Sequence, residues 1–247
     1  MNNAFWLGIW PGINMKKILK KIKYKLFKKQ GIFYPKFSGK WYVYHQEKLR
    51  GSKEEIKTRQ KEYLSYINNL PSSLINNPFL EVGFGRGEFL ELLSTTKLRN
   101  IEGVDNNYQF YQSAKKKGQK VYFADALEHL YLSNKDYSGI SAFHFIEHLP
   151  FPQLFDFLYI CSHKIAKGGL LILETPNIEN LQVASITYHY DFTHVQKLPS
   201  ILLRTLLEFL KFSKIEFLYL HPMKNKLIKE TDRLLFGAQD LGIIATK

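Results

Sequence analysis

The sequence predicts an α/β protein built on a doubly wound, mostly parallel, seven-stranded sheet. Three observations carry that expectation. Short apolar runs alternate with segments whose apolar residues recur every 3.6 positions. The 247 residues suit one large α/β domain with a short extension. A hydrophobic content of 45% against 23% charged residues supplies a sizeable core and excludes a wholly disordered chain. Strand, helix, strand in succession then requires parallel pairing through right-handed crossovers.

Each element has its own signal. Residues 1–40 stand apart as a basic segment, and 41–247 form the folded domain. Within 16–29, Ile18, Leu19, Ile22 and Leu26 fall at helical spacing among lysines. This is the pattern of a short basic amphipathic helix, suited to an anionic membrane surface, with a solvated leader as the alternative. Ser52 and Glu55 form a capping box, and Ile56, Tyr63, Leu64 and Ile67 share a face, which predicts a helix over 53–69. After the breaks at Pro71 and Pro78, strands are expected at 79–83, 101–105 and 120–124, with helices at 87–95 and 107–117 between them. A strand at 138–145 precedes a helix marked by Phe151, Leu154, Phe155, Leu158 and Ile165, and a strand at 169–175 follows. Leu202, Leu203, Leu206 and Leu210 mark a helix over 199–211, and strands near 213–220 and 239–246 complete the set.

Composition excludes several classes. The 35 Lys+Arg against 22 Asp+Glu give a net charge of +13, but ten of the lysines and none of the acids lie in residues 1–40. The other 25 basic residues against 22 acidic ones leave only +3 for 41–247, so the domain is not a globally basic nucleic-acid binder. Cys161 is the sole cysteine, which rules out an internal disulfide or a cysteine-rich zinc site and fits a reducing cytoplasm. No apolar run reaches the roughly 18 residues that span a bilayer. The apolar stretch 4–14 lacks the flanks of a secretory signal. The expected location is cytoplasmic, with a peripheral contact at the inner membrane face through the lysine-rich segment.

The first strand runs into Glu81-Val82-Gly83-Phe84-Gly85-Arg86-Gly87 and then a helix. In an open α/β sheet this is where a nucleotide-like ligand binds, because glycines let it approach the backbone and the helix N-terminus. A dinucleotide fingerprint would need glycine at position 88, where Glu88 stands, and no Lys-Ser or Lys-Thr follows to make a phosphate loop. The spacing E-x-G-x-G-x-G after a strand resembles the first motif of class I S-adenosylmethionine-dependent methyltransferases, a Rossmann-like family. That resemblance implies S-adenosylmethionine as cofactor, held by Glu81, Gly83, Gly85 and Gly87. Asp105 and Asn106 at the second strand end would take the ribose hydroxyls, and Asp125 and Ala126 at the third the adenine. Phe143 and His144 at the fourth would sit at the methyl-donor end.

His144-Phe145-Ile146-Glu147-His148 also reads as H-x-x-E-H, a zinc-peptidase pattern that needs both histidines on one helix face. The strand before it and Pro150 and Pro152 after it leave little helix, so no metal is expected. Glu147-His148-Leu149-Pro150 instead resembles the segment after strand four of many methyltransferases, where His148 either meets acceptor or donor or caps the next turn. Glu174-Thr175-Pro176-Asn177, Asp191-Phe192-Thr193-His194 with Leu198-Pro199, and Leu49-Arg50-Gly51-Ser52 with Arg59 are similar to segments of methyltransferases from bacterial surface-polysaccharide pathways. These include enzymes of O-antigen phosphate and capsule O-methyl phosphoramidate chemistry. The similarity covers roughly 42–246; Ile178, Phe192 and Phe84 depart from the family's usual residues.

The resemblance implies a phosphate-type or sugar-linked glycan acceptor in capsule or O-antigen biosynthesis. An anionic phosphate oxygen would be oriented by Arg50 and Arg59. A sugar hydroxyl would need a general base, for which His194 held by Asp191, or His148, is the candidate, with Tyr190 walling the pocket. Three alternatives compete. One is methylation of another small hydroxyl or amine. Nucleobase methylation is disfavoured because the [DN]-P-P-[YF] of amino-methylating enzymes is missing at Phe143–Ile146. The third is a scaffold recruited by its lysines to membrane or nucleic acid, with a vestigial cofactor fold.

Overall fold

The computed structural model describes residues 34–223 and 230–247. The basic helix expected at 16–29 lies outside the described residues, as does the apolar stretch 4–14. The chain divides into two compact units, Met1–His45 and Gln46–Lys247. Of the first, the described part is helical backbone of α1 (Tyr34–Leu49), on which Trp41 packs against Tyr44 and His45 with ring centroids 6.3 and 5.7 Å apart. Among the described residues, no helix is long and apolar enough to cross a membrane.

The second unit is the expected sheet. Its strands are β1 (Phe79–Val82), β2 (Ile101–Asp105), β3 (Val121–Phe123), β4 (Tyr137–Phe143), β5 (Ile165–Pro176), β6 (Ser213–Leu220) and β7 (Asp240–Thr246). They lie in the order β3-β2-β1-β4-β5-β7-β6, parallel from β3 to β5, with β7 antiparallel to both its neighbours. The reversal of strand order at β1 and β4 opens a crevice at the carboxyl ends of the parallel strands.

Helices cover both faces. The expected 53–69 helix is delivered as α2 (Lys53–Gln60), a 3₁₀ turn Lys61–Tyr63 and α3 (Leu64–Asn68). Ser52 and Glu55 make the predicted capping box. Then come α4 (Glu88–Leu93), α5 (Tyr108–Lys116), α6 (Ala126–Leu132), α7 (Phe151–Lys164), α8 (Leu181–Ser185), α9 (Ser200–Phe209) and α10 (Glu230–Phe236). Helices α1, α6, α8 and α10 carry no strong apolar period and were not expected; α10 buries none of its residues.

Strand alternation builds two cores, one on each face of the sheet. Leu80, Val82, Ile140, Leu171 and Leu173 face α7 and α9, packing with Leu154, Phe157 and Leu203. Phe79, Phe143, Leu170 and Ile172 face the other way, onto Tyr63, Ile67, Phe89 and Leu93. On this second face the apolar residues give way, at the strand ends, to the buried acids Glu81, Asp105, Glu174 and Asp240. That change positions the site.

Glu91 on α4 ties the helical layer together. Its carboxylate pairs with Lys57, with Lys53 at 3.4 Å and with Lys117 at 2.9 Å. Partial burial pushes its pKa up, but hydrogen bonds from Lys57 and Lys117 and the charges of Lys117 and Lys53 outweigh this and hold it at about 2. A carboxyl depressed in the folded state stabilises fully above its ordinary 4.5 and loses that contribution as pH falls through about 2. Glu91→Gln is therefore expected to lower Tm at neutral pH, with the difference from wild type shrinking between pH 4.5 and 2 and with added salt. A Tm difference constant across that pH series would contradict this account.

Candidate active site

The loop after β1 turns on three left-handed glycines, Gly83, Gly85 and Gly87, at φ 65, 53 and 80°. The turn is locked from β2. Gly85 N–H donates to Asp105 Oδ2 at 2.9 Å, and Asn107 N–H to Oδ1 at 2.7 Å. Each carboxylate oxygen keeps a further lone pair for a ligand. Burial raises the Asp105 pKa, opposed by those two N–H bonds and by Arg50. Asn106 is exposed at the strand end, and Asn107 caps α5.

Glu81 is buried in β1 beside this turn, and its Oε2 has no hydrogen-bond partner. Burial drives its pKa well up, with Glu88 and Asp105 adding to the rise and Arg50 opposing it. Arg50 Nη1 stands where a Cβ on Gly85 would meet it at 3.4 Å, and its Nε is likewise without a partner. The Arg50 guanidinium thus stands beside the glycine turn, close enough to Glu81 to act on its charge, where the sequence reading expects it to orient an acceptor oxygen. Arg86 fastens the segment around it, donating to the Gly51 carbonyl at 3.1 Å and forming an ion pair with Glu88 at 2.6 Å. Arg59 is exposed on α2, where its charge acts on His221.

Asp125 is exposed and spends Oδ1 on capping α6, accepting from Glu128 N–H at 3.0 Å; the adjacent Ala126 is buried. Phe143 does not offer its ring to the crevice. The ring packs against Tyr63 and Phe89 at 5.1 and 4.6 Å, so only the Phe143 backbone is presented there. His144 follows in a left-handed conformation at φ 49°. Its Nε2 lies 3.2 Å from Glu174 Oε1 and 3.6 Å from Asp240 Oδ1, and its Nδ1 3.4 Å from Glu147 Oε1. Burial pulls the imidazole pKa down, but Glu147, Glu174 and Asp240 outweigh it and raise it to about 10. Tyr63 donates to Glu174 Oε2, and His221 Nδ1 meets Asp240 Oδ2 at 2.8 Å.

The residues expected to meet the acceptor lie on the 3₁₀ turn Ile146–His148 and in the loop 186–199. Asp191 does not hold His194. It accepts from Thr193 N–H at 2.9 Å, Thr193 Oγ1 at 2.6 Å and Gln46 Nε2 at 3.1 Å. Thr193 Oγ1 in turn meets His148 Nδ1 at 2.8 Å, so Asp191 reaches His148 through the threonine. His194 instead gives its Nδ1 hydrogen to the Tyr188 carbonyl at 2.7 Å. Burial lowers the His194 pKa, partly offset by Glu147, and the ring is neutral at pH 7. The Tyr190 side chain is exposed on the turn Thr187–Tyr190. Glu147, Glu174 and Thr193 stand in the motifs quoted above without a role of their own, and sequence reasoning gives Asp240 and Tyr63 none; all five line this cluster. For the two glutamates, the available signal was an acid breaking a buried apolar pattern beside a strand end.

A parallel sheet of this strand order, with a glycine turn after β1 and an acid ending β2, defines a class I methyltransferase. The comparisons agree. A family model described as "Methyltransferase domain" matches residues 55–213, and the chain belongs to that family. It is similar to a SAM-dependent methyltransferase from Archaeoglobus fulgidus, at 30% identity and TM-score 0.75, over 84% of this chain and 100% of that one. It shares its fold with an S-adenosylmethionine-dependent methyltransferase from Clostridium acetobutylicum, at 12% identity and TM-score 0.59, over 87% and 99% of the two chains. No curated protein matches. The protein is a SAM-dependent methyltransferase. The unpartnered Glu81 Oε2, the Arg50 guanidinium and the spare lone pairs of Asp105 fit the cofactor's ammonium, carboxylate and ribose hydroxyls by chemistry.

Proposed function

We propose that the enzyme methylates a sugar hydroxyl of a bacterial surface-glycan precursor. One observation supports this reading: two segments that resemble surface-polysaccharide methyltransferases, Glu174–Asn177 and Asp191–His194, meet the Glu147-His148 turn at the end of β4. Thr175 donates to Glu147 Oε2 at 3.1 Å, and Thr193 meets His148 at 2.8 Å. S-adenosylmethionine supplies the methyl group on a sulfonium, and the chain's residues do the rest. Glu81, Arg50, Asp105 and Asp125 bind and orient the donor. His148 and His194 face the acceptor. The Thr193 hydroxyl spends its hydrogen on Asp191 and the Tyr188 carbonyl can only accept, so each ring carries its hydrogen on Nδ1. In the neutral form each has its lone pair on Nε2, ready to receive a hydroxyl proton. That arrangement favours a hydroxyl over an already anionic phosphate or phosphoramidate oxygen, which needs no base.

The test is release of S-adenosylhomocysteine with sugar, phosphate-monoester and phosphoramidate acceptors. Turnover is expected with the sugar. His194→Ala should lower kcat about 100-fold or more at neutral pH and leave donor affinity unchanged. Turnover of phosphate-type acceptors alone, or full activity in His194→Ala, would overturn the assignment.

A further inference from the structure

Outside the donor cradle, one cluster of metal-ligating side chains among the described residues keeps a buried carboxylate oxygen without a hydrogen bond. Glu147, His148 and His194 each bring a donor atom within 4.8 Å of the other two. Glu147 is fully buried, and the bond from Thr175 satisfies only Oε2. Its Oε1 has no hydrogen bond. That oxygen lies 3.8 Å from His194 Nε2, too long for a direct bond and suited to an atom between them. We infer that Glu147, His148 and His194 form a binding site for a divalent first-row transition-metal ion.

The surroundings are those of a metal site. Ligating histidines give their other ring hydrogen to an oxygen, which fixes ring orientation and turns the lone pair to the ion. Both histidines do so here, His194 to the Tyr188 carbonyl and His148 to the Thr193 hydroxyl, itself anchored on Asp191 and Gln46. His144 Nδ1 also stands 3.4 Å from Glu147 Oε1, without hydrogen-bond alignment, and is held from its other nitrogen by Glu174 and Asp240. The adjoining trio His144, Glu174 and Asp240 lacks the same demand, because its members pair with one another and with Tyr63 and His221.

Two imidazoles with one carboxylate favour Zn²⁺, Mn²⁺, Fe²⁺ or Co²⁺ over Mg²⁺ and Ca²⁺, which prefer all-oxygen shells. Three protein ligands leave at least one coordination position for water or an acceptor oxygen. The inference rests on the proposed function only for which side of the crevice the acceptor takes, and departs from it at one point: an ion bound here takes the Nε2 lone pairs of His148 and His194, so with the ion in place these rings hold it and do not themselves receive the acceptor proton.

The test uses the full chain, stripped with chelator and titrated with Zn²⁺ by calorimetry and with Co²⁺ by visible absorption, without acceptor. One equivalent should bind, and Co²⁺ should show ligand-field bands typical of nitrogen and oxygen ligation. Removing a ligand should cost more than the 10–100-fold typical of outer residues, so His194→Ala is expected to weaken Zn²⁺ binding by more than about 100-fold and Thr193→Val by at least about 10-fold. Retained S-adenosylmethionine binding by each variant shows that it is folded. Failure of the stripped wild-type protein to bind either ion, or equal binding by wild type and His194→Ala, overturns the site. Either result leaves the acceptor assignment standing, because that assignment is read from turnover.

Discussion

Replacing Asp105 with alanine is expected to reduce S-adenosylmethionine affinity by about 100-fold or more. The carboxylate does two things at once. It anchors Gly85 and Asn107 through their N–H groups, holding the glycine turn in shape, and it keeps further lone pairs that suit the ribose hydroxyls. Two hydrogen bonds to a charged group, at about 1.5–3 kcal/mol each, set the scale, with about 1.4 kcal/mol to each tenfold in affinity. Alanine also leaves two backbone donors without their partner. Asp105→Asn keeps one acceptor oxygen and should lose less. Calorimetry on the folded variants decides the matter: Asp105→Ala within about threefold of wild type would remove Asp105 from the donor site as described.

The second large effect concerns the centre of the sheet. Gly139 on β4 lies between Phe79 of β1 and Leu170 of β5. A Cβ there would come within 2.4 Å of Phe79 Cε2 and 3.1 Å of the Leu170 carbonyl oxygen. Phe79 is fully buried among Tyr63, Phe89 and Ile172, so its ring has nowhere to retreat. Gly139→Ala is expected to cost about 3 kcal/mol, the upper end of ordinary overpacking. Gly139→Val should yield no folded protein, since domains are stable by only about 5–15 kcal/mol. Adding Phe79→Leu to Gly139→Ala should recover part of the loss, a coupling that a double-mutant cycle in urea measures. Full additivity would mean that the ring is not what the new methyl meets.

The strands and helices that the sequence disclosed are those whose signal is local. Phe79-Leu80-Glu81-Val82 running into a glycine turn, or Leu202, Leu203, Leu206 and Leu210 on one stripe, declare themselves within a dozen residues. Helix α10 has no buried face, and so left no period to find. The glycine turn and the acids at the strand ends were legible for the same reason: each parallel strand delivers its residue at its own end. The contacts around Glu147 and the 186–199 loop were not, because they depend on distant pairings. Tyr63 reads as one more apolar position on a helix, and its hydroxyl gains meaning only from Glu174, 111 residues away. Asp191 and His194 suggest a pair by proximity. The tight turn between them gives the Asp191 carboxylate to Thr193 and turns the histidine to Tyr188.

The position of β7 has a bearing on how the enzyme is made. It is the last of the seven strands to leave the ribosome, yet it lies between β5 and β6 and, among the described residues, is the only strand that β6 pairs with. Until it emerges, β5 presents an open apolar edge and β6 has no neighbour, the kind of unpaired edge that invites association with other chains. Asp240, which steadies His144 at the end of β4, arrives in the same stretch. The nascent chain therefore completes its sheet and its active site in a single late step, and protection of the β5 edge during synthesis falls to whatever meets the polypeptide first.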